Sequence, residues 1–411
     1  MSSIAVYTIT SGLHDESAVG KLSDEFLSGI FPDGEYDFKG ADFTDFGEAE
    51  LNMIYVRTGG AEGIFEELLP KLLETGVSFF TLLTSGTSNS LAASLEILSY
   101  LKQKGLKGEV LHGSPEYIRG RISHLQKIAR ARASLYGTSL GIIGQPSDWL
   151  ISSIYDEGAI LQKLGVLVKD IPMEDLLAEF DRQKAREVNP GLAMQVAPSP
   201  QVREAIPDAI RIYNALKTLV ETHDLDALTI RCFDLLGTVH NTGCYALARL
   251  NSEGLPSSCE GDVPALLSMM VAQALTGRTG FQANPARIDV QTGEMLFAHC
   301  TIPFNIVDEF NYDTHFESGI GVGIHGHFPE GPVTVFKLSG TLDRAFIAEG
   351  ELFANQYEQN LCRTQVRLRL TPSAAAYFLT DPIGNHHIII PGHHGEDLHE
   401  FIQTTGIKSV A

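Results

Sequence analysis

The run Ser257-Ser258-Cys259-Glu260-Gly261-Asp262-Val263-Pro264 sets carboxylates where a strand-like pattern gives way to an apolar helix pattern. Farther along, His299 closes the apolar run Met295-Leu296-Phe297-Ala298, just before Cys300-Thr301-Ile302-Pro303. His386 and His387 follow Gly384-Asn385 near the end of the sequence. Carboxylate and imidazole groups drawn from distant parts of a chain suit a hard-to-borderline divalent ion such as Mn²⁺. A free carboxylate or histidine beside such an ion can move protons on carbon.

Each of these residues also has a plain structural reading. Asp262 before Val263-Pro264 is a normal helix N-cap. Glu260 precedes that helix and has no capping duty, which leaves it free to be a ligand or a base. A single histidine at a strand end, such as His299, is commonly a hydrogen-bonded core residue. His386 and His387 are consecutive in a strand, so their side chains face opposite ways and only one reaches a given site, unless the strand bends at Gly384. Trp149, the only tryptophan, ends the polar loop Gln145-Pro146-Ser147-Asp148 and could stack on a sugar ring or pack at a rim. Asn89 ends Thr84-Ser85-Gly86-Thr87-Ser88, a strand-end loop opening a helix. That loop could bind a hydroxyl or an anion through free N–H groups, or Ser88 or Asn89 could simply cap the helix.

The elements that must position these residues follow from periodicity. Strand-like runs at Ile4–Ile9, Leu51–Val56, 77–83 and Gly108–His112 alternate with helical patterns at Ile64–Leu73, Asn89–Lys104 and Tyr117–Leu135. Ser139–Gly144 starts a second round. Helical patterns at Glu157–Leu164, 173–184, 201–222 and Cys244–Leu250 follow, around a buried strand at Ala227–Asp234 and a proline-rich loop at 189–201. Alternating strand and helix imply parallel, doubly wound sheets, whose ligands gather at the carboxyl ends of the strands. After about Thr276 short β-type segments take over: Ile288–Val290, Met295–Cys300, Pro332–Leu338, Thr341–Ile347, Val366–Leu370 and His386–Ile390. The expected architecture is therefore two Rossmann-like doubly wound α/β domains, residues 1–137 and 138–276, and a β-rich, barrel-like domain over 277–411. Gly321-Val322-Gly323-Ile324-His325-Gly326 matches GxGxxG, but a proline-rich turn and a strand follow it instead of a helix, so no dinucleotide site is expected.

Composition narrows the partners. Of 411 residues, 51 are acidic and 30 basic, a formal charge of −21 that would repel a phosphate backbone, so nucleic acid is excluded as an expected partner. No apolar run reaches the roughly 18 residues of a membrane span. The opening residues lack a signal-peptide pattern. The five cysteines, without CxxC spacing, are expected as reduced thiols. A cytoplasmic protein is the expectation.

Taken together, Cys259-Glu260-Gly261-Asp262, Ala298-His299-Cys300-Thr301-Ile302-Pro303, the glycine-rich 319–326 before Val333-Thr334-Val335, and Gly384-Asn385-His386-His387 resemble the L-fucose/L-arabinose isomerase superfamily, especially its shorter, fucose-isomerase-like members. The resemblance covers the central and C-terminal two-thirds of the chain. It implies Mn²⁺ or another divalent metal, a monosaccharide substrate, aldose–ketose interconversion through a cis-enediol, and a homotrimer or homohexamer with active sites shared between subunits. Residue by residue, it implies Glu260, His299 and His387 as metal ligands, Glu260 doubling as acid/base, and His386 as a substrate contact. Asp262 and His386 join Glu260 as catalytic candidates; Trp149, Asn89, Asn284 and Asn385 are the substrate-binding candidates. One position departs from the pattern: Asn284 stands where the resemblance places a second metal carboxylate. Asp262, Asp234 or Asp289 could replace that carboxylate, or proton transfer could fall to Glu260 with a histidine. A sugar-binding or epimerase-type relative that has lost the carboxylate is the alternative.

Overall fold

The computed structural model describes residues 3–77, 79–183 and 199–410. It divides into two units, Met1–Ala133 and Ser134–Ala411.

The first unit alternates strand and helix: β1 (Ile4–Ile9), α1 (Glu16–Ile30), β2 (Asp37–Gly40), β3 (Leu51–Val56), α2 (Glu62–Glu74), β4 (Phe79–Leu83), α3 (Ser90–Gln103), β5 (Lys107–Leu111) and α4 (Pro115–Leu135). All strand pairs are parallel, in the order β2-β1-β3-β4-β5. Successive residues of each strand feed different cores, as period-two alternation requires. Tyr7, Ile9 and Ile54 pack with Phe65, Leu69 and Ile97; Val6, Met53 and Tyr55 pack with Leu27, Ile30 and Ile118. This is the doubly wound arrangement expected from sequence, in the flavodoxin-like strand order and not the dinucleotide-binding one.

The second unit begins with β6 (Ser139–Ile143), α5 (Glu157–Leu164), β7 (Leu167–Ile171), α6 (Met173–Arg182), α7 (Pro200–His223), β8 (Ala227–Ile230), α8 (Asp234–Thr238), α9 (Cys244–Ser252), β9 (Ser257–Ser258) and α10 (Val263–Thr276). Its parallel sheet runs β7-β6-β8-β9. Most of the proline-rich stretch expected as a loop at 189–201 lies outside the described residues. Ser199 is described, and its side chain caps α7 by accepting the Val202 N–H.

The same unit continues into β10 (Phe281–Asp289), β11 (Glu294–His299), β12 (Glu309–Asp313), β13 (Gly323–His327), β14 (Gly331–Leu338), β15 (Arg344–Asn355), β16 (Thr364–Arg369), α11 (Pro372–Thr380), β17 (His387–Pro391), α12 (Gly395–Thr405) and β18 (Lys408–Ser409). The antiparallel order β14-β17-β10-β11-β16-β15 closes on itself through a β14–β15 ladder, so this region is a closed barrel. Closure leaves no open edge among those strands. Helix α10 lies between the barrel and the parallel sheet and is buried from Val263 to Ala272. A helix apolar on every side needs protein on every side. Its Ser268 hydroxyl also accepts the Leu338 N–H at 2.8 Å, tying it to β14. One continuous apolar cluster then spans sheet and barrel, from Ile143 and Leu228 to Phe297, Val335 and Ile389.

The strand-to-helix junction at 259–262 is tightly packed against the loop that follows β6. Gly261 has φ 70°, and a Cβ there would sit 2.6 Å from both Gln145 O and Pro146 Cα. Its N–H donates to Ile230 O at 2.9 Å, and the Ser147 N–H donates to Glu260 O at 2.9 Å. The junction is therefore pinned to the ends of β6 and β8 by backbone contact that only glycine allows. Gly261→Ala should lower unfolding stability by about 2 kcal/mol or more, from φ strain and clash together. Urea denaturation of the purified variant checks it.

Candidate metal centre

The carboxyl ends of β6, β8 and β9 carry the loop to Trp149, the Arg231–Asp234 turn and the Cys259–Asp262 junction. Glu260 itself has φ 66°, a left-handed conformation that a side chain rarely adopts. With its carbonyl held by Ser147 and the next N–H held by Ile230, the backbone has little choice, and the carboxylate is aimed toward the barrel. There it meets histidines from the ends of two barrel strands. His386 Nε2 lies 3.5 Å and His299 Nε2 3.9 Å from Glu260 Oε1. The two imidazole rings are 5.3 Å apart. One ligand atom from each of Glu260, His299 and His386 lies within 4.8 Å of the others, and all three residues are buried.

The donor set fits a metal ion. His386 Nε2, which faces Glu260, is a buried nitrogen without a hydrogen-bond partner, a costly arrangement unless something else satisfies it; on His299 the unpartnered nitrogen is Nδ1, the one away from Glu260. A carboxylate with two imidazoles serves a borderline divalent ion, Mn²⁺ included. Without an ion the two carboxylates favour a protonated His386, whose Nε2 proton a bound cation would displace. Burial opposes charge on Glu260, yet His386, His299 and the Trp149 N–H outweigh it and bring the carboxyl down to about 2. Burial likewise pushes His386 down, but the Glu260 and Asp262 carboxylates hold it up at about 9. His299, whose largest influence is burial, is pushed down to about 3 and stays neutral.

Asp262 proves to be both cap and partner. Its Oδ1 accepts the Ala265 N–H at 2.8 Å, starting α10, while Oδ2 accepts the His386 Nδ1 proton at 2.8 Å. It has no exposed surface, so it reaches His386 and not a substrate. Once the ring is neutral, a carboxylate behind a histidine fixes its tautomer and leaves Nε2 facing forward as a lone pair. Lys337 of β14, also fully buried, stands 3.5 Å from Asp262 Oδ1.

His387, the metal ligand implied by the resemblance, points away from this group. Its Nε2 accepts from the Tyr377 hydroxyl at 3.1 Å, and its Nδ1 donates to Asn385 O at 3.2 Å. It is wedged among Phe346, Tyr377 and Phe378. Alternation along the strand is the reason: when His386 faces the site, His387 must face the core. The candidate metal group thus takes in His386, expected as a substrate contact, and not His387.

Trp149 donates its indole N–H to Glu260 Oε2 at 2.6 Å and remains half exposed. Its ring meets Phe233 edge-on at 4.8 Å, and Phe233 meets His315 at 5.5 Å. Asn284 and Asn385 are bonded to each other, Asn385 Nδ2 donating to Asn284 Oδ1 at 3.0 Å. Asn89 lies in the first unit, with φ 59° at the start of α3 and no capping bond from its side chain. Of the alternative carboxylates, Asp234 pairs with Arg231 and Asp289 closes a turn onto Gln291. Lys337, Phe233 and His315 were not singled out from sequence. Lys337 did carry a signal, a charge inside the apolar run Val333-Thr334-Val335-Phe336-Lys337-Leu338.

No family model matches the chain. Curated relatives do. Sulfoquinovose isomerase from Priestia aryabhattai is 22% identical over 301 residues, covering 70% of this chain and 67% of the relative. The Alkalicoccus urumqiensis protein of the same name is 21% identical over 285 residues, 64% of this chain and 62% of the relative. That of Clostridium sp. (strain MSTE9) is 30% identical over 129 residues, 31% of this chain and 27% of the relative. At this distance the chain is similar to sugar isomerases. That matches the resemblance read from sequence at the level of sugar isomerases and goes no further toward a short fucose-isomerase-like member. No helix among the described residues is long and apolar enough to cross a membrane.

The two adjacent histidines should separate cleanly. His386→Ala is expected to abolish stoichiometric binding of a divalent metal, whereas His387→Phe, filling an aromatic pocket, should retain it. Metal content after reconstitution, measured by elemental analysis, decides between them.

Proposed function

We propose that this chain is a metal-dependent aldose–ketose isomerase acting on a free or modified monosaccharide. The observation that carries the proposal is the buried Glu260–His299–His386 group, with imidazole nitrogens left unpartnered, at the carboxyl edge of a parallel sheet. Distant relatives named for a sugar isomerisation support the same reading and make sulfoquinovose the first substrate to try.

In this reading Glu260, His299 and His386 hold Mn²⁺, which when bound supplies Lewis-acid stabilisation of negative charge developing on adjacent sugar oxygens. The chain's own groups supply the rest. Glu260 is ionised, the form that can take a proton from carbon as C1 and C2 exchange it through a cis-enediol. The Trp149 N–H at 2.6 Å fixes one oxygen of that carboxylate and lowers its basicity, so its ligand role is the better supported of the two. The half-exposed Trp149 ring offers a face on which a sugar can stack. Asp262, sealed from solvent, holds His386 and does not exchange protons with substrate. The resemblance further supports a homotrimer or homohexamer in which the first unit of a neighbouring subunit, including the Asn89 loop, completes the site.

The deciding experiment is elemental analysis of the purified protein, then Mn²⁺-supplemented incubation with a panel of aldoses in D₂O. Deuterium uptake at C1 or C2 of one sugar, with bound metal, is expected. Glu260→Gln should abolish that exchange while leaving the circular dichroism spectrum unchanged. Bound sugar with neither metal nor exchange would instead make the chain a sugar-binding protein.

A further inference from the structure

Lys337 stands in the middle of β14 with no exposed surface, and its partner Asp262 is equally buried. Replacing such a pair by apolar residues of similar size is often neutral or stabilising, so stability alone does not account for keeping it. Its geometry supplies a reason. Asp262 Oδ1 is held from two directions, by the Ala265 N–H at 2.8 Å and by Lys337 Nζ at 3.5 Å. With that oxygen fixed, Oδ2 has one direction left, toward His386 Nδ1 at 2.8 Å. The ring is then set with Nε2 facing Glu260 Oε1 at 3.5 Å.

We propose that Lys337 is a positioning residue for the metal centre, acting only through Asp262 to fix the orientation of His386. The proposal rests on the metal-site reading above. It assigns a role to a barrel strand that contributes no ligand itself. Lys337 of β14 and His386, the residue before β17, lie just beyond the end of the ladder these strands form along Val333–Phe336, so the clamp and the clamped ring sit next to each other at its end. Asp262 comes from the opposite layer, at the start of α10. Sheet and barrel are therefore registered against each other at the ligand itself.

The test is a titration of metal-free protein with Mn²⁺ alone, followed by calorimetry, for wild type, Lys337→Met, Asp262→Asn and the double variant. Asparagine caps a helix as well as aspartate, so the second substitution leaves α10 intact. Each single substitution is expected to weaken Mn²⁺ binding by about 10- to 100-fold, the usual effect of losing a residue behind a metal ligand. The double variant should bind no more weakly than Asp262→Asn, because Lys337 has nothing left to act through. A folded Lys337→Met protein with wild-type affinity overturns the proposal. So does a double variant weakened further by the full Lys337→Met factor. If Lys337→Met alone does not fold, the double variant, which removes both charges, still makes the decisive comparison with Asp262→Asn. A wild-type chain that binds no Mn²⁺ overturns the metal-site reading as well, which tells the two failures apart.

Discussion

Asp262 is a charged group with no exposed surface, and the surrounding architecture has to compensate that charge without water. Burial opposes its ionisation, but Lys337, His386 and the Ala265 N–H together hold the carboxyl well below the usual carboxylate range. Those partners come from a barrel strand, from the residue preceding another barrel strand, and from the first turn of a core helix. A displacement of barrel against sheet by an ångström would strand a carboxylate in a dry interior, at a cost of several kcal/mol. The buried charges thus penalise a slip of barrel against sheet, adding to what close apolar packing already resists.

The same constraint explains why Glu260 adopts an unfavourable backbone. It lies two residues before Asp262, just after the very short strand Ser257–Ser258, and the chain must turn from strand to helix within the four residues 259–262. Gly261 accepts φ 70° at no cost; Glu260 accepts 66° only because Ile230 and the Ser147 N–H hold the backbone on both sides. Strain of this kind, roughly 1–3 kcal/mol, persists where the surroundings over-determine the conformation. Here they do so to point one carboxylate at two histidines from another layer.

Much of this was legible in the sequence. The alternation of strand and helix and the later change to short β segments gave the class, because those signals are local periodicities. Glu260 stood out for lacking a capping role, and His299 for ending an apolar strand. What stayed hidden was relational. Residues 11–50 went unassigned, although α1 places Val19, Ser23, Leu27 and Ile30 at helical spacing; β2 is short and half-buried. Barrel closure depends on the β14–β15 ladder, which no local pattern announces. The choice between His386 and His387 turns on the phase of a single strand, and a one-residue change of phase exchanges site for core. Asp262 was read as a cap, correctly, but a cap bond occupies one oxygen, and nothing in the sequence says where the other points.

Asn284 is the point at which the chain departs from the resemblance, and the geometry shows what that departure costs. Its side-chain oxygen accepts from the Asn385 amide at 3.0 Å, a pairing of two neutral groups that brings no charge to this position. The negative charge near the histidines therefore sits in two places, on Glu260 in front of His386 and on Asp262 behind it. A carboxylate behind an imidazole raises the ligand's basicity without occupying a coordination position. Lys337 in turn offsets part of that charge, so the group in front of the ring stays open to a cation while the region behind it stays dry. In the proposed reading Asp262, one imidazole away, would supply part of the negative charge that a second ligating carboxylate gives, while Glu260, His299 and His386 would be the residues that hold the ion.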